Sequence, residues 1–596
     1  MSNVRLELVW PNKEKFLLSP QDENGKPVWV DRSHPAAREV RLTEFTDAVG
    51  EVNDQHPESD NLLFVGDSLD ALKILNETPS FRREYRGKVK LIYIDPPFNT
   101  GETFEHYDDW MEHSTWLSFM RDRLQLMKDL LSADGTVWVH LDDIEQHRMR
   151  ALLDEVFGAQ NFVSTIVWQK ADSPRNNSTG ISTDQDYIHV YAKNKLVWKP
   201  VRMERTAEMN AIYKSPDGDD RDWFDADPTA PGAITHQGMV YAIQSPFTGK
   251  LFYPAIGRCW AGEQSRILRA LSEWAEYEPF DFDDASERAK VCGVAAGDVR
   301  AGVMGLRLKN DLETSRASAR KRYEAGTWPE FIFRSGGEGG IGLKRYQPDN
   351  GVPPRSLWLN EEVGHNRTAK AESKALVPNE VSFSTPKPEK LLERVIHIGS
   401  NPGEIVMDFF AGSGTTAAVA HKMKRRWVTS EISPTTAKRY TGERLKKVVD
   451  GTDQGGISQA LSWTGGGGFR ALEIQDSFYA LTSLGVMLTD DAMGPRFARA
   501  VAGQLGFDWE MISGTFCGRR GRMRLAVLDG AVGEEEVRQI VSELEENERV
   551  TIVARVILQG AEEWLSANSR GSICLKAPND VLRERRKRRR KTGGDE

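Results

Sequence analysis

One short segment combines residue types that could hold an amino group on a planar ring. Asp95-Pro96-Pro97-Phe98 follows the apolar run VKLIYI at residues 89–94. Two prolines fix the backbone and remove two N–H donors, which leaves carbonyl groups and the Asp95 carboxylate as acceptors. We expect Asp95 and the Pro96 carbonyl to accept the two N–H bonds of an exocyclic amine, while Phe98 stacks on its ring. Taken alone, the four residues fit a strand that ends in a proline turn about equally well.

A second segment has the composition of a ligand-binding turn. Asp408-Phe409-Phe410-Ala411-Gly412-Ser413-Gly414-Thr415-Thr416 lies between an apolar run and a helical pattern. The glycines let the backbone approach a ligand closely, and the following helix directs its amides at the turn. Glu431 lies 19 residues after Gly412, at the end of the next apolar run. Nucleotide-binding α/β folds place there the carboxylate that holds ribose hydroxyls, so the spacing favours a ligand over an ordinary tight turn.

Alternating strand and helix patterns surround both segments. From about residue 60 the chain predicts strand 62–65, a helix with Leu69, Leu72 and Leu75 inward, strand 89–94, a helix with Trp116, Met120, Leu124, Met127 and Leu131 inward, and strand 136–141. Near residue 385 the rhythm returns with a helix, strand 405–407, a helix to residue 423 and strand 427–429. This alternation predicts a parallel sheet with covered faces. Since parallel strands share one carboxyl edge, both segments are expected to open into the same crevice.

Composition excludes several classes of protein. The chain has 596 residues, with 79 basic and 88 acidic side chains, so any nucleic-acid contact must come from local basic patches. Its four cysteines lie too far apart for zinc spacing or a disulfide framework. No apolar run has the length of a membrane span, and the first ten residues lack an apolar signal region. These features predict a cytoplasmic location.

Several motifs resemble those of amino-directed DNA methyltransferases. LIYIDPPFNTG, DFFAGSGTT and TPKPEKLLERV are similar to the catalytic, methyl-donor and flanking motifs, and their order along the chain resembles the circularly permuted β class. LLFVGDSLDAL, ADGTVWVHLDD, EVGHN and FSTPKP resemble in particular the modification subunits of type III restriction systems. The resemblance implies an α/β fold: a circularly permuted Rossmann-like, S-adenosylmethionine-dependent core with an inserted α+β target-recognition domain and a small C-terminal region.

The resemblance also assigns roles to individual positions. Asp95, Pro96, Pro97 and Phe98 would form the catalytic loop. The pocket for S-adenosylmethionine would be lined by Asp408, Phe409, Gly412, Ser413, Gly414 and Thr415, with Glu431 on the ribose, Asp67 near the adenine and Lys387 near the methionine part. The family more often has tyrosine at the position of Phe98, so no step that needs a tyrosine hydroxyl is expected there.

The same reasoning predicts domains and partners. The predicted regions are an N-terminal arm (1–55), the catalytic half of the core (56–170), the inserted target-recognition domain (171–375), the donor-binding half (376–450), a Gly-rich linker (451–470), a small C-terminal domain (471–582) and a basic tail (583–596). The implied activity is N6-adenine methylation of a flipped-out base in double-stranded DNA. The alternatives are N4-cytosine methylation, or a catalytically silent DNA-recognition subunit. A homodimer and a helicase–nuclease restriction subunit are the implied partners; the sequence lacks a P-loop G-x-x-x-x-G-K-[ST].

Other features favour structural interpretations. Gly337–Gly342 matches G-x-G-x-x-G, but no helix pattern follows it. His140, Asp142 and Asp143 fit an acidic strand end better than a metal site, because transfer from a sulfonium needs no metal. Six basic residues are candidate DNA phosphate contacts, with a solvated helix face as an equal alternative: Arg307, Lys309, Arg316, Arg320, Lys321 and Arg322. The tail could raise non-specific DNA affinity, or simply be a disordered end.

Overall fold

The computed structural model describes residues 7–19, 26–100, 103–104, 107–108, 111–173, 180–376, 383–510 and 514–583. The chain divides into two compact units. One comprises Met1–Val201 together with Pro353–Glu596, and the other is Arg202–Val352. The basic tail predicted from residue 583 onward lies outside the described residues except for Arg583.

A ten-stranded sheet forms the centre of the first unit. Its strands, numbered in chain order, are β1 (Thr43–Gly50), β2 (Asn61–Val65), β3 (Val89–Ile94), β4 (Leu131–Leu141), β5 (Phe162–Gln169), β6 (Gln185–Ala192), β7 (Leu357–Trp358), β8 (Ile405–Asp408), β9 (Arg426–Glu431) and β10 (Gly468–Ile474). Their order across the sheet is β7-β5-β6-β4-β3-β8-β9-β2-β10-β1.

Six neighbouring strands, β4-β3-β8-β9-β2-β10, run parallel. Strand β6 is antiparallel to both β4 and β5, β7 is parallel to β5, and β1 pairs antiparallel with β10. A parallel sheet is covered on both faces, which is why β2, β3 and β8 are near-continuous apolar runs with buried side chains. The predicted α/β fold class is confirmed.

Ten helices accompany this sheet in the described part of residues 68–449. They are α1 (Ser68–Glu77), α2 (Pro79–Tyr85), α3 (His113–Leu130), α4 (Gln146–Leu153), α5 (Asn360–Val363), α6 (Asn366–Leu376), α7 (Glu389–Gly399), α8 (Thr415–Lys422), α9 (Pro434–Thr436) and α10 (Glu443–Val449). The predicted inward residues Trp116, Met120, Leu124 and Met127 are fully buried on α3. The helical assignment of Leu131 is wrong, because its backbone pairs with Val89 and begins β4.

The strand order reverses between β3 and β8. Strand β3 leads through α3 to β4 on one side, whereas β8 leads through α8 to β9 on the other. Connections that leave two adjacent parallel strands in opposite directions open a crevice beyond their carboxyl ends. Both candidate segments follow these two strands, although the whole second unit separates them in sequence.

The unit Arg202–Val352 contains short strands arranged in small sheets. The strands are Trp223–Ala226, Thr229–Pro231, Ile243–Gln244, Leu251–Phe252, Arg258–Trp260, Tyr277–Phe280, Gly305–Leu308, Phe331–Phe333 and Ile341–Tyr346; the helices are Ala207–Asn210, Gln264–Leu271, Ala285–Cys292 and Leu312–Glu324. The predicted insert 171–375 is longer than this unit, and β6 and β7 of the central sheet lie within it.

The C-terminal region adds a five-stranded sheet within the first unit. Its strands are Asp508–Trp509, Gly518–Arg520, Met523–Val532, Arg549–Ile557 and Ile573–Lys576, preceded by a hairpin of Tyr479–Thr482 and Gly485–Leu488; the helices are Gly494–Leu505, Glu534–Ser542 and Ala561–Asn568. Strand β10 crosses the predicted boundary at residues 470–471 and belongs to the central sheet.

The N-terminal region contributes a hairpin of Lys15–Ser19 and Val28–Asp31. Residues 7–10 of the predicted N-terminal arm form no strand, and β1, within the same predicted arm, is one of the two edge strands of the central sheet. Thr103–Phe104 and Tyr107–Asp108 form a further short pair. Among the helices of the described residues, none combines the length and the apolar character that crossing a membrane requires.

Candidate active site

A cavity of about 330 Å³ opens at the carboxyl ends of β3 and β8. That volume lies in the range typical of small-molecule sites. The cavity brings together all the predicted site residues except Pro96, Phe98 and Gly414. Its described lining includes Asp67, Ser68, Tyr93, Asp95, Pro97, Phe119, Phe383, Thr385, Lys387, Asp408, Phe409, Gly412, Ser413, Thr415 and Glu431. Gly414 lies between two lining residues, and Pro96 is buried directly beside Asp95 and Pro97.

Four carboxylates line this edge of the sheet, one for each of four adjacent strands. Asp95 follows β3, Asp408 ends β8, Glu431 ends β9 and Asp67 follows β2. In a parallel sheet the carboxyl ends of neighbouring strands meet at one edge, so the alternation of strands and helices concentrates negative charge there. Such a site suits a ligand that carries positive charge and hydroxyl donors.

Only one of the two carboxylate oxygens of Asp95 has a hydrogen-bond partner among the described residues. Oδ2 pairs with the Lys387 ammonium, and both side chains are mostly shielded from solvent. Oδ1 is buried and has no hydrogen-bond partner among the described residues. A buried acceptor without a donor is unfavourable by about 1–3 kcal/mol, so this oxygen would gain from an incoming N–H group.

The proline turn is fixed from the side of α3. The indole Nε1 of Trp116 donates to the Pro97 carbonyl at 2.8 Å, and Trp116 is fully buried. Phe98 is partly buried, and its ring stacks on His140 with 6.0 Å between centroids and 27° between planes. The Lys387 ammonium lies 5.0 Å from the centre of the Phe98 ring. Lys387 therefore contacts both the carboxylate and the aromatic ring of the candidate catalytic loop.

The glycine turn depends on positive φ angles at Gly412 and Gly414, which are 50° and 75°. A Cβ at Gly412 would lie 3.0 Å from the Phe383 ring, and one at Gly414 would lie 3.0 Å from Thr441 Cγ2. Gly414 precedes the first residue of α8, Thr415, so the helix begins at the cavity. Glycine adopts these backbone angles without strain, whereas a side chain at either position would be strained and would press on its neighbour.

Asp408 is buried behind the turn and accepts two hydrogen bonds. Thr416 Oγ1 donates to Oδ2 at 2.6 Å, and the Phe410 amide donates to Oδ1 at 2.9 Å. Burial, together with the negative charges of Asp95 and Glu431, raises the pKa of Asp408 to about 7 against the opposing effect of the two hydrogen bonds. This carboxyl group therefore exchanges its proton near neutral pH.

Glu431 connects β9 to the glycine turn. Its Oε2 accepts from the Gly412 amide at 2.9 Å and its Oε1 from the Ser433 amide at 3.0 Å. Burial raises the pKa of Glu431 despite these bonds. Oε2 thus lies at the glycine turn, and the predicted spacing between Gly412 and Glu431 corresponds to a direct hydrogen bond.

Asp67 has a structural role besides lining the cavity. It caps α1 by accepting a hydrogen bond from the Leu69 amide at 2.6 Å. The Arg123 guanidinium donates to both carboxylate oxygens of Asp67, at 2.7 and 2.9 Å. Arg123 projects from α3, and its guanidinium lies 3.5 Å from the centre of the Phe119 ring. A carboxylate that already has these partners fits the rim of a site better than its reacting centre.

Sequence reasoning missed several side chains of the site. Phe119, Phe383 and Tyr93 line the cavity, and Arg444 donates to Thr415 Oγ1 at 2.8 Å. Apolar periodicity identified the buried face of α3, but not which of its residues reach the cavity. Phe383 belongs to the FSTPKP motif, so its position beside Lys387 was available as a signal.

The weaker candidates are placed elsewhere. His140 bonds Tyr93 and Asp186, and within the described residues no group of three His, Cys, Asp or Glu could hold a metal ion. Residues 337–342 continue into the strand Ile341–Tyr346. Of the basic side chains in the second unit, Arg307 pairs with Glu278, and Arg320 and Lys321 are exposed on Leu312–Glu324.

Comparison with known proteins points to one family. The family model described as DNA methylase matches residues 89–249 and 307–441. The chain is 29% identical over 469 residues to the probable type III restriction-modification enzyme HindVI Mod subunit of Haemophilus influenzae, covering 75% of this chain and 59% of that protein. It is 27% identical over 396 residues to the type III restriction-modification enzyme StyLTI Mod subunit of Salmonella typhimurium, covering 61% and 50%. The chain thus spans roughly half to three-fifths of the curated relatives it matches.

Solved structures add a weaker likeness. The cytosine-N4-specific PvuII DNA methyltransferase aligns with 70% of this chain and 94% of its own, with 13% identity and a TM-score of 0.32.

Proposed function

Because the chain belongs to the DNA methylase family, we propose that it transfers the methyl group of S-adenosylmethionine to N6 of a flipped-out adenine in duplex DNA. One observation carries this proposal. Asp95, whose Oδ1 is buried and without a donor among the described residues, lines the same cavity as the glycine turn. Methyl transfer from a cofactor to the amine of a base requires an acceptor for the amine and a nucleotide-type turn within one crevice.

The lining of the cavity fits the methyl donor. Glu431 and the turn around Gly412 suit ribose hydroxyls, while Phe119, Phe383 and Phe409 offer apolar surface to a purine. The carboxylates of Asp95 and Asp408 would attract the positive charge of a sulfonium group. When bound, the donor supplies an activated methyl group on sulfur. Lys387 is part of the same cavity, which agrees with its proposed location near the methionine part.

The residues of the candidate catalytic loop would position the amine. The N6 lone pair of adenine is delocalised into the ring, so the amine is a weak nucleophile. A hydrogen bond from N6 to Asp95 Oδ1 and a second to the Pro96 carbonyl would favour a pyramidal nitrogen with its lone pair directed outward. Phe98 would hold the ring plane by stacking. Fixed alignment replaces a bimolecular encounter, and flipping the base out of the duplex costs a few kcal/mol.

The test uses tritiated S-adenosylmethionine and DNA. Wild-type protein should label N6-methyladenine, and Asp95→Ala should abolish labelling while the donor still binds in calorimetry. Asp129→Asn is the matched control, since Asp129 pairs with Arg86 on the surface, away from the cavity, and its substitution should leave labelling unchanged. Sequencing of modified bases in host DNA would give the target motif.

The other outcomes of this experiment are equally informative. Label found only in cytosine would contradict the adenine assignment and support N4-cytosine methylation. Tight DNA binding without any label would indicate a catalytically silent recognition subunit. Either result would leave the family membership unchanged.

We further propose that residues 171–375 recognise the target sequence, and that the protein acts as the modification subunit of a type III-like system with a helicase–nuclease partner. The names of the relatives, which are Mod subunits of restriction-modification enzymes, support this. Co-expression with a neighbouring helicase–nuclease reading frame should yield a stable complex. Sedimentation velocity should give the mass of a homodimer, and a concentration-independent monomer would contradict that part.

A further inference from the structure

A fully buried histidine lies directly behind the candidate catalytic loop. His140 is on β4 and has no exposed surface. Its Nδ1 is 2.8 Å from the hydroxyl of Tyr93, and its Nε2 is 3.3 Å from Asp186 Oδ2. Lys170 donates to the other oxygen of Asp186 at 2.6 Å. Both ring nitrogens of His140 therefore have hydrogen-bond partners. They belong to a chain of four side chains that runs from Tyr93 on β3 through His140 and Asp186 on β6 to Lys170, the residue after β5.

These partners fix the protonation state and tautomer of His140. A carboxylate can only accept, so Nε2 carries the hydrogen that Asp186 receives, and Nδ1 accepts from the Tyr93 hydroxyl. Burial lowers the pKa of His140, and the positive charge of Lys387 lowers it further, although Asp186 acts in the opposite direction. The imidazole is thus neutral and held in one orientation.

The imidazole has an aromatic ring on each of two sides. Phe98 stacks on it at 6.0 Å with 27° between planes, and Trp168 packs its edge against it at 5.5 Å and 89°. Trp168 is itself fixed, since its indole donates to the Gly364 carbonyl at 3.0 Å. A ring held by two hydrogen bonds and a perpendicular indole is a rigid surface for Phe98.

We propose that His140 is a positioning residue that fixes the plane of Phe98 for stacking on the extruded base. This rests on the proposed methyltransferase function. The group acts through Phe98 and contacts no substrate itself. A proton relay through the same chain is disfavoured, because burial raises the pKa of Tyr93 well above its ordinary value and keeps its hydroxyl protonated.

The experiment compares His140→Ala and His140→Phe with a matched control, His189→Ala. His189 is also buried in the central sheet, with Thr165 Oγ1 and the Gln146 carbonyl as partners, but unlike His140 it makes no ring contact with Phe98 among the described residues. Three quantities are measured: kcat/KM for DNA carrying the mapped motif, donor affinity by calorimetry, and the emission of 2-aminopurine at the target position, which is quenched when the base stacks.

His140→Ala should lower kcat/KM by between about 5- and 150-fold, the range that corresponds to about 1–3 kcal/mol of base–aromatic stacking. Donor affinity should stay unchanged and 2-aminopurine emission should rise. His140→Phe keeps a ring beneath Phe98 and should lose less than His140→Ala. His189→Ala should lower thermal stability without changing emission or kcat/KM of the folded protein.

Two results would overturn the inference. If His140→Ala lowers stability as His189→Ala does but leaves kcat/KM and emission at wild-type values, His140 is only a packing residue. The same holds if His140→Phe is as impaired as His140→Ala. Failure of wild-type protein to methylate DNA would instead refute the proposed function, and the positioning role with it, so the two failures are distinguishable.

Discussion

At the scale of single residues, the cavity contains more negative than positive charge. Four carboxylates line it, while Lys387 and Arg123 each pair with one of them. Asp408 and Glu431 have backbone or hydroxyl donors rather than cations as their hydrogen-bond partners. Like charges this close disfavour simultaneous ionisation, and burial strengthens the effect. The protein is therefore expected to respond to pH through Asp408.

The first prediction concerns Asp408→Asn, which mimics the protonated carboxyl. In the unfolded chain the group has the ordinary pKa of 3.8, and in the folded protein the pKa is about 7. As pH rises from about 4 to 7, the unfolded state loses this proton while the folded state keeps it, so folding stability falls across that window and stays lower above it. The thermal midpoint of wild type relative to Asp408→Asn should therefore decrease over this range. Parallel curves would contradict the shift.

The second prediction concerns Lys387, the cation on Asp95. Lys387→Met removes the partner that orients the carboxylate, and we expect kcat/KM to fall by roughly tenfold or more, about 1.4 kcal/mol. Lys387→Arg keeps a cation and should retain more activity. Calorimetry separates two roles: unchanged donor affinity would place Lys387 with Asp95 alone, whereas weaker donor binding would support its predicted location near the methionine part. Full activity in Lys387→Met would contradict both.

At the scale of elements, buried charges join the helices behind the glycine turn. Glu389, the first residue of α7, accepts from Lys422 at 2.8 and 2.9 Å and from Arg444 at 2.7 Å. Lys422 also pairs with Asp453 at 2.6 Å. Arg444 in turn donates to Thr415, the first residue of α8. This network fixes the start of α8, and with it the turn, relative to α7 and α10.

The third prediction concerns Glu389→Gln. Removal of one partner from a buried ion pair leaves the others uncompensated, so the free energy of unfolding should fall by about 3–5 kcal/mol. Glu443→Gln is the matched control, because Glu443 is half exposed and its ion pair with Lys446 is long, at 3.8 Å. That substitution should change stability by less than about 0.5 kcal/mol. Denaturant titration measures both, and equal effects would contradict a special role for the network.

At the scale of the whole molecule, the unit Arg202–Val352 has its two ends together. Met203 and Val352 exchange backbone hydrogen bonds at 2.9 and 2.8 Å. The unit has a core of its own that includes Trp260, Trp274 and Phe331. A segment with adjacent termini and its own core has the properties of an independently folding domain.

The fourth prediction is that residues 202–352, expressed alone, fold cooperatively. A single thermal transition with native near-ultraviolet circular dichroism is expected. A fragment that stops at residue 340 lacks the strand Ile341–Tyr346, which pairs with both Trp223–Ala226 and Phe331–Phe333, and should not fold. If the complete fragment shows no cooperative transition, the unit depends on the rest of the chain.

Much of the sheet was predictable because buried parallel strands are short apolar runs that end at turn residues. The strands before Asp95 and at Asp408, the glycine turn and the distance to Glu431 followed from that pattern. Boundaries were less predictable where pairing overrides local propensity: Leu131 begins β4 because it pairs with Val89. Likewise, β6 and β7 join the central sheet from a region whose composition indicated an insert.

The sequence by itself determined the fold class, the family and the residues of the two candidate motifs, since these depend on local periodicity and on residue types at fixed spacing. Only the tertiary structure decided which oxygen of Asp95 lacks a donor among the described residues, that Lys387 contacts Asp95, that the pKa of Asp408 is raised to about 7, and that His140 stacks on Phe98. Those properties depend on desolvation and on distances of a few ångströms between residues far apart in the chain, neither of which local sequence patterns encode.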